Sequence, residues 1–122
     1  MILVDSSVWV DHLRRDEAGM RRLLGAGQVL SHPFVIGELA MGRFNRRDLL
    51  LKELMDLPSA KVAEDDEVLQ FVSRYRLFES GVGYIDAHLL AAVRLMPGTL
   101  VWTRDKRLFE VASNLGLAAA ER

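Results

Sequence analysis

The sequence predicts an α/β fold, with a mostly parallel central sheet of four or five strands covered by helices, in one domain over residues 1–122. Three observations predict it. Short apolar runs such as Ile2-Leu3-Val4 and Leu100-Val101-Trp102 alternate with longer stretches of helical periodicity. These runs are continuously apolar, as strands buried on both faces are. Glycine or proline falls between the elements, at Gly25, Gly27, Pro33, Pro58, Gly81, Gly83, Pro97-Gly98 and Gly116. No repeat, linker or low-complexity tract interrupts the pattern.

Residues 1–5 read as a buried strand ending at Asp5, and Ser6 or Ser7 is expected to cap the following helix, whose Val8, Trp9 and Leu13 share a face. A second helix is expected from Glu17 to Leu24, closed by Gly25 and Gly27, then a strand over residues 28–31. Pro33 suits the first turn of a helix carrying Val35, Ile36, Leu39 and Ala40. The stretch from Arg46 to Leu57 reads as helix ended by Pro58, and residues 60–63 as a weak third strand. Glu64 to Glu67 place negative charge where a helix dipole is positive, opening a helix that runs to about Glu79. After Gly81 and Gly83 comes a very apolar helix from Tyr84 to Leu95. Residues 99–102 form a strand, Asp105 to Leu115 a helix stopped by Gly116, and residues 117–120 a possible edge strand.

The chain has 50% hydrophobic and 27% charged residues, the balance of an ordinary globular protein. It contains no cysteine, which excludes disulfides, thiolate catalysis and cysteine-ligated zinc, and agrees with a reducing cytoplasm. The stretch MILVDSSVWVDHLRR lacks the basic region and long apolar stretch of a secretory signal, and no apolar run approaches the roughly 20 residues that span a bilayer. A cytoplasmic protein without membrane contact is expected. Net charge is −1, yet between Asp11 and Arg47 seven arginines face only four acids. Arginine is the better bidentate partner for phosphate. Arg14, Arg15, Arg43, Arg46 and Arg47 are therefore candidates to line a path for a phosphate-bearing partner, against the plainer reading that they are solvated helix faces.

Four acidic positions carry the chemistry: Asp5 in ILVDSSVW, Glu38 in IGELAMGR, Asp86 in GYIDAHLLAA and Asp105 in LVWTRDKRLF. Asp5 and Asp105 follow apolar strands, while Glu38 and Asp86 are expected in the first turns of helices. In open α/β sheets the functional crevice lies beyond the carboxyl ends of the strands, so these acids converge if the first and last of the main strands are neighbours. Carboxylates do not gather without a counter-charge, because repulsion and desolvation oppose it. A divalent cation supplies that charge, and hard oxygen ligands suit Mg²⁺ or Mn²⁺. Each acid also has a plain structural role open to it: a helix cap for Asp5 or Asp105, a buried ion pair for Asp86. Ser7 and Thr103 are placed to orient a carboxylate from behind. His12, His32 and His88 show no zinc-ligand spacing, and Trp9 and Trp102 read as core.

In these residues the chain resembles the PIN-domain ribonucleases, in particular the VapC-type toxins of bacterial toxin–antitoxin pairs. The resemblance rests on VDSSVWVD, GELAMG, GYIDAHLLAA and TRDKRLFEVASNLGL, in that order over almost the whole chain. It implies a three-layer α/β/α fold and Mg²⁺- or Mn²⁺-dependent endonucleolytic cleavage of RNA. It also implies a homodimer and a cognate antitoxin whose C-terminal segment enters the active-site groove. Asp5, Glu38, Asp86 and Asp105 correspond to the family's acidic quartet and Thr103 to its companion threonine, with Ser6 standing where many members have threonine. A phosphatase with an aspartyl nucleophile fits less well, since its second aspartate would fall at Ser7, and a phosphoacceptor domain would need paired early acids. A non-catalytic binding module, with the acids as caps and ion pairs, is the remaining alternative, as is a PIN-fold RNA-processing nuclease outside toxin–antitoxin systems.

Overall fold

A computed structural model describes residues 1–120. Three strands, β1 (Ile2–Val4), β2 (Val29–Leu30) and β3 (Leu100–Trp102), form a parallel sheet in the order β2-β1-β3. The register pairs Ile2 with Val29 and Leu100, Leu3 with Leu30 and Val101, and Val4 with Trp102. Ile2, Leu3 and Val4 point alternately to opposite faces, and all three are buried, so helices cover the sheet on both sides.

Seven α-helices lie among the described residues: α1 (Ser6–Arg15), α2 (Ala18–Gly25), α3 (Pro33–Ala40), α4 (Arg47–Asp56), α5 (Asp65–Arg74), α6 (Tyr84–Arg94) and α7 (Lys106–Asn114). α6 is the central one: all seven residues from Ala87 to Val93 are buried, which explains why that stretch, His88 apart, is apolar on every side. α7 is strongly amphipathic and buries Leu108 and Ala112. Trp9 and Trp102 are core residues, as their surroundings in the sequence suggested.

The expectation of four or five strands is not met. Residues 60–63 form no strand, only a bridge between Ser31 and Ser59 standing just before them, and residues 117–120 are reduced to a bridge between Val101 and Ala118. Pro58 offers only its carbonyl to Ser31, and the small Ala118 to Ala120 have little side chain to pack on a pleated surface. These segments extend the sheet on both flanks without becoming strands.

Three helical expectations also differ. Asp5, not Ser6 or Ser7, occupies the N-cap position of α1, and both serines lie inside the helix. The helix expected to run from Glu64 to Glu79 stops at Arg74. Arg76 takes a left-handed conformation at φ 54°, and a 3₁₀ turn covers Leu77–Glu79. No glycine or proline marks that break. Glu38 is the sixth residue of α3, a turn later than expected. Among the described residues no helix is long and apolar enough to cross a membrane.

Candidate active site

Because β1 and β3 are adjacent and parallel, the turns that leave their carboxyl ends lie side by side. The strand order 2-1-3 reverses direction between them, which is where an open α/β sheet has its crevice. Asp5 opens the first turn and is buried; its backbone N–H donates to the Trp102 carbonyl at 2.9 Å. Its side chain caps nothing. Instead, Oδ2 accepts from Ser7 Oγ at 2.8 Å and Thr103 Oγ1 at 2.7 Å, and Oδ1 lies 3.5 Å from Ser6 Oγ.

Thr103 also accepts from the Asp105 N–H at 3.0 Å and lies 3.3 Å from Ser7 Oγ, so the two turns are stitched together by hydroxyls. Ser7 and Thr103 thus both donate to the same carboxylate oxygen of Asp5. Asp105 is the N-cap of α7, where Oδ1 accepts from the Leu108 N–H at 2.9 Å. Its capping role is real, and the residue is exposed. Glu38 reaches back from α3 to Ser6, 3.3 Å from its Oγ, at the open mouth of the crevice. Phe34, Met41 and Ile85 line an apolar hollow beside Glu38.

Asp86 comes from the first turn of α6 and is half-buried. Desolvation pushes its carboxyl up to about 6, and the charges of Asp5, Asp105 and Glu38 push in the same direction. Desolvation and Asp5 likewise hold Glu38 above the usual carboxylate range. Every charge that shifts Asp86 is thus another acid. Among the described residues Asp86 makes no ion pair, so the buried pair considered for it is not formed there.

Among the described residues, no three acidic or imidazole side chains are close enough to enclose an ion by themselves. An all-oxygen set of mutually repelling carboxylates open to water matches the needs of Mg²⁺, which keeps several waters and takes only one or two protein carboxylates.

The five arginines are not equally placed. Arg14 and Arg15 lie at the far end of α1, about 13 Å along its axis from Asp5 at 1.5 Å per residue. Arg15 also pairs with Asp11 at 3.2 Å. Arg47 donates twice to the Ala40 carbonyl, at 3.1 and 2.9 Å, and pairs with Asp48. Arg43 and Arg46 are exposed in the turn that follows the helix carrying Glu38.

Two features escaped the reading of the sequence. His32 is wholly buried, caps α3 through Nδ1 accepting from the Phe34 N–H at 3.0 Å, and packs with His88 around the Phe34 ring. Burial lowers His32 to about 4, and His88 adds to the effect. The His-Pro pair before a helix is the signal that could have exposed the cap. The second feature is Arg104, whose guanidinium donates to both Asp11 and Glu17 at 2.8 Å. Nothing local announces that pairing, because its partners lie 93 and 87 positions away.

A parallel α/β sheet with an acidic crevice at the switch between its first and last strands defines the class, and the family described as the PIN domain matches residues 2–114. The chain belongs to the PIN domain family, as a VapC-type member. It is 47% identical over 121 residues to Ribonuclease VapC32 of Mycobacterium tuberculosis strain CDC 1551 / Oshkosh, covering 99% of this chain and 98% of that relative. The same figures hold for Ribonuclease VapC32 of strain ATCC 25618 / H37Rv.

Proposed function

We propose that this protein is an endoribonuclease that hydrolyses RNA phosphodiester bonds with Mg²⁺ or Mn²⁺ bound among Asp5, Glu38, Asp86 and Asp105. The observation that carries the reading is the uncompensated charge at Asp86, where the field of three further acids calls for a cation. A divalent ion there supplies charge neutralisation at the phosphate and lowers the pKa of water.

The chain's own groups do the rest. Asp5, held by Ser7 and Thr103, presents a fixed carboxylate at the floor of the crevice. Asp86 is ionised at neutral pH, but by a narrow margin, so its charge is available to an incoming cation and is shed readily in acid. Glu38, exposed and shifted upward, is the acid best placed to take a proton from water entering at the mouth. Asp105 contributes one oxygen while its other anchors α7. Arg43 and Arg46 guide the RNA backbone, with weaker parts for Arg14, Arg15 and Arg47.

The biological role we infer is that of the toxin of a toxin–antitoxin pair acting in the cytoplasm as a homodimer, restrained by a cognate antitoxin. That role is supported by 47% identity over nearly the full chain to proteins named Ribonuclease VapC32. The test is cleavage of total cellular RNA by purified, antitoxin-free protein with Mg²⁺ or Mn²⁺, with EDTA, and with Asp5→Asn. Discrete fragments that need both metal and Asp5 are expected. Equal cleavage by Asp5→Asn would overturn the assignment, and no cleavage by folded protein would favour a binding module.

A further inference from the structure

We propose that Arg104 is a positioning residue for the acidic centre, bracing α1 and the start of α2 against the turn between β3 and α7 so that Asp5 and Asp105 keep their places. The catalytic meaning of this brace rests on the nuclease reading, while its effect on cation binding can be read without RNA.

Arg104 sits between Thr103 and Asp105 and is bonded at both ends. Its backbone N–H donates to Ser7 Oγ at 3.0 Å, in the first turn of α1. Its Nη1 donates to Asp11 Oδ2 in the next part of α1 and to Glu17 Oε1 at the N-cap position of α2, each at 2.8 Å. The guanidinium also lies over the Trp102 ring, 5.6 Å from its centroid. One residue of the β3–α7 turn therefore grips α1 at two heights, and α1 cannot rotate about its axis without breaking one grip. The three side chains are only about a quarter exposed, at 23%, 24% and 24%, which protects the pairs from full solvent screening. The bond to Arg104 is the leading influence that holds Asp11 and Glu17 below the usual carboxylate range.

The crevice needs such a hold. The ladder between β1 and β3 ends at Val4 and Trp102, and beyond the Asp5 N–H to Trp102 bond the described links between the two turns run through the hydroxyls of Ser7 and Thr103. Four acids that repel one another act against those hydroxyls. A cation placed among the acids would steady them but would also compete with the metal. Arg104 steadies them from outside, with its guanidinium held by Asp11 and Glu17 rather than by the acids of the crevice, and Ser7 passes the constraint on to Asp5. Lysine at this position can reach two carboxylates but cannot lie flat on Trp102.

The experiment compares Arg104→Gln, Arg104→Lys and the Asp11→Asn/Glu17→Gln double variant with the unaltered protein. The readouts are Mn²⁺ affinity of metal-free protein by electron paramagnetic resonance, kcat and KM on a cleaved RNA, and thermal midpoint. Arg104→Gln and the double variant are expected to lose on the order of 10-fold in Mn²⁺ affinity and in kcat with little change in KM, the size typical of groups that orient metal ligands. Arg104→Lys recovers part of the loss. A fall in thermal midpoint with Mn²⁺ affinity and kcat unchanged would overturn the proposal and leave Arg104 a stability residue. Should Arg104→Gln fail to fold, Glu17→Gln removes a single partner and is expected to shift Mn²⁺ affinity the same way by less; no shift there overturns the proposal too. Unaltered protein that neither binds Mn²⁺ nor cleaves RNA defeats the nuclease reading and this brace together. Unaltered protein that does both, matched by its variants, defeats the brace alone.

Discussion

Thr103 Oγ1 donates to Asp5 Oδ2 at 2.7 Å, a buried bond between residues 98 positions apart at the ends of two adjacent parallel strands. It makes the relative position of the two acidic turns a matter of side-chain chemistry as well as of the sheet. Thr103→Val keeps the shape but leaves Asp5 with one fewer donor and the Asp105 N–H without its acceptor. We expect it to cost about 1–3 kcal/mol in urea unfolding, most of the cleavage activity, and Mn²⁺ affinity. Thr103→Ser retains the hydroxyl and should retain most of all three. Equal stability of the valine and serine variants would show that the bond is idle.

The acidic centre should make metal-free protein sensitive to pH in a particular direction. Asp86 is raised from 3.8 to about 6, so the folded state holds its proton more tightly than the unfolded chain. Its contribution is therefore fully present below pH 4 and is lost as pH rises through 6. His32 is lowered from 6.5 to about 4, and its contribution is lost as pH falls through that window. In EDTA, Asp86→Asn should stabilise the protein at pH 7, on the order of 1 kcal/mol once water screening at this half-buried site is allowed for, and the gain should vanish by pH 4. His32→Asn keeps an N-cap acceptor, and its deficit relative to the unaltered protein should shrink as pH falls. Denaturant unfolding from pH 4 to 8 checks both signs, and an Asp86→Asn gain that is flat with pH would contradict the assigned shift.

Asp105 offers a way to separate fold from function at one position. Its Oδ1 caps α7, and asparagine caps as well as aspartate. Asp105→Asn should therefore unfold like the unaltered protein while cleaving RNA more slowly and binding Mn²⁺ more weakly. Asp105→Ala should lose about 1 kcal/mol in addition. Full cleavage by Asp105→Asn would remove this acid from the quartet.

The arginines should divide by the contacts they already make. Arg43→Gln and Arg46→Gln are each expected to reduce the slope of log K against log salt for single-stranded RNA by about 0.7 if one phosphate contact is lost. Arg15 and Arg47 are engaged within the protein, and their removal should change the slope less. Fluorescence titrations across a salt series read this directly, and four equal slopes would show that RNA follows another path.

Much of this protein was written locally in its sequence. The apolar runs at Ile2-Leu3-Val4 and Leu100-Val101-Trp102 announced strands because each residue had to be buried whichever face it took. Asp5 directly after the first run and Asp105 three residues after the second stood out as candidates for the same reason, and four separated motifs pointed to the PIN family. Local pattern misjudged what depends on neighbours. Residues 60–63 and 117–120 had too little to pair with to become strands, and the helix break at Arg76 carries no sequence marker. Only the tertiary structure decided that Asp86 feels the charges of Asp5, Asp105 and Glu38, that Thr103 and Ser7 bind the same carboxylate oxygen, and that Arg104 meets Asp11 and Glu17. The physical reason is that burial and helix capping are set by a few adjacent residues, whereas repulsion, ion pairing and shared hydrogen bonds depend on distances that exist only once β1 and β3 lie side by side.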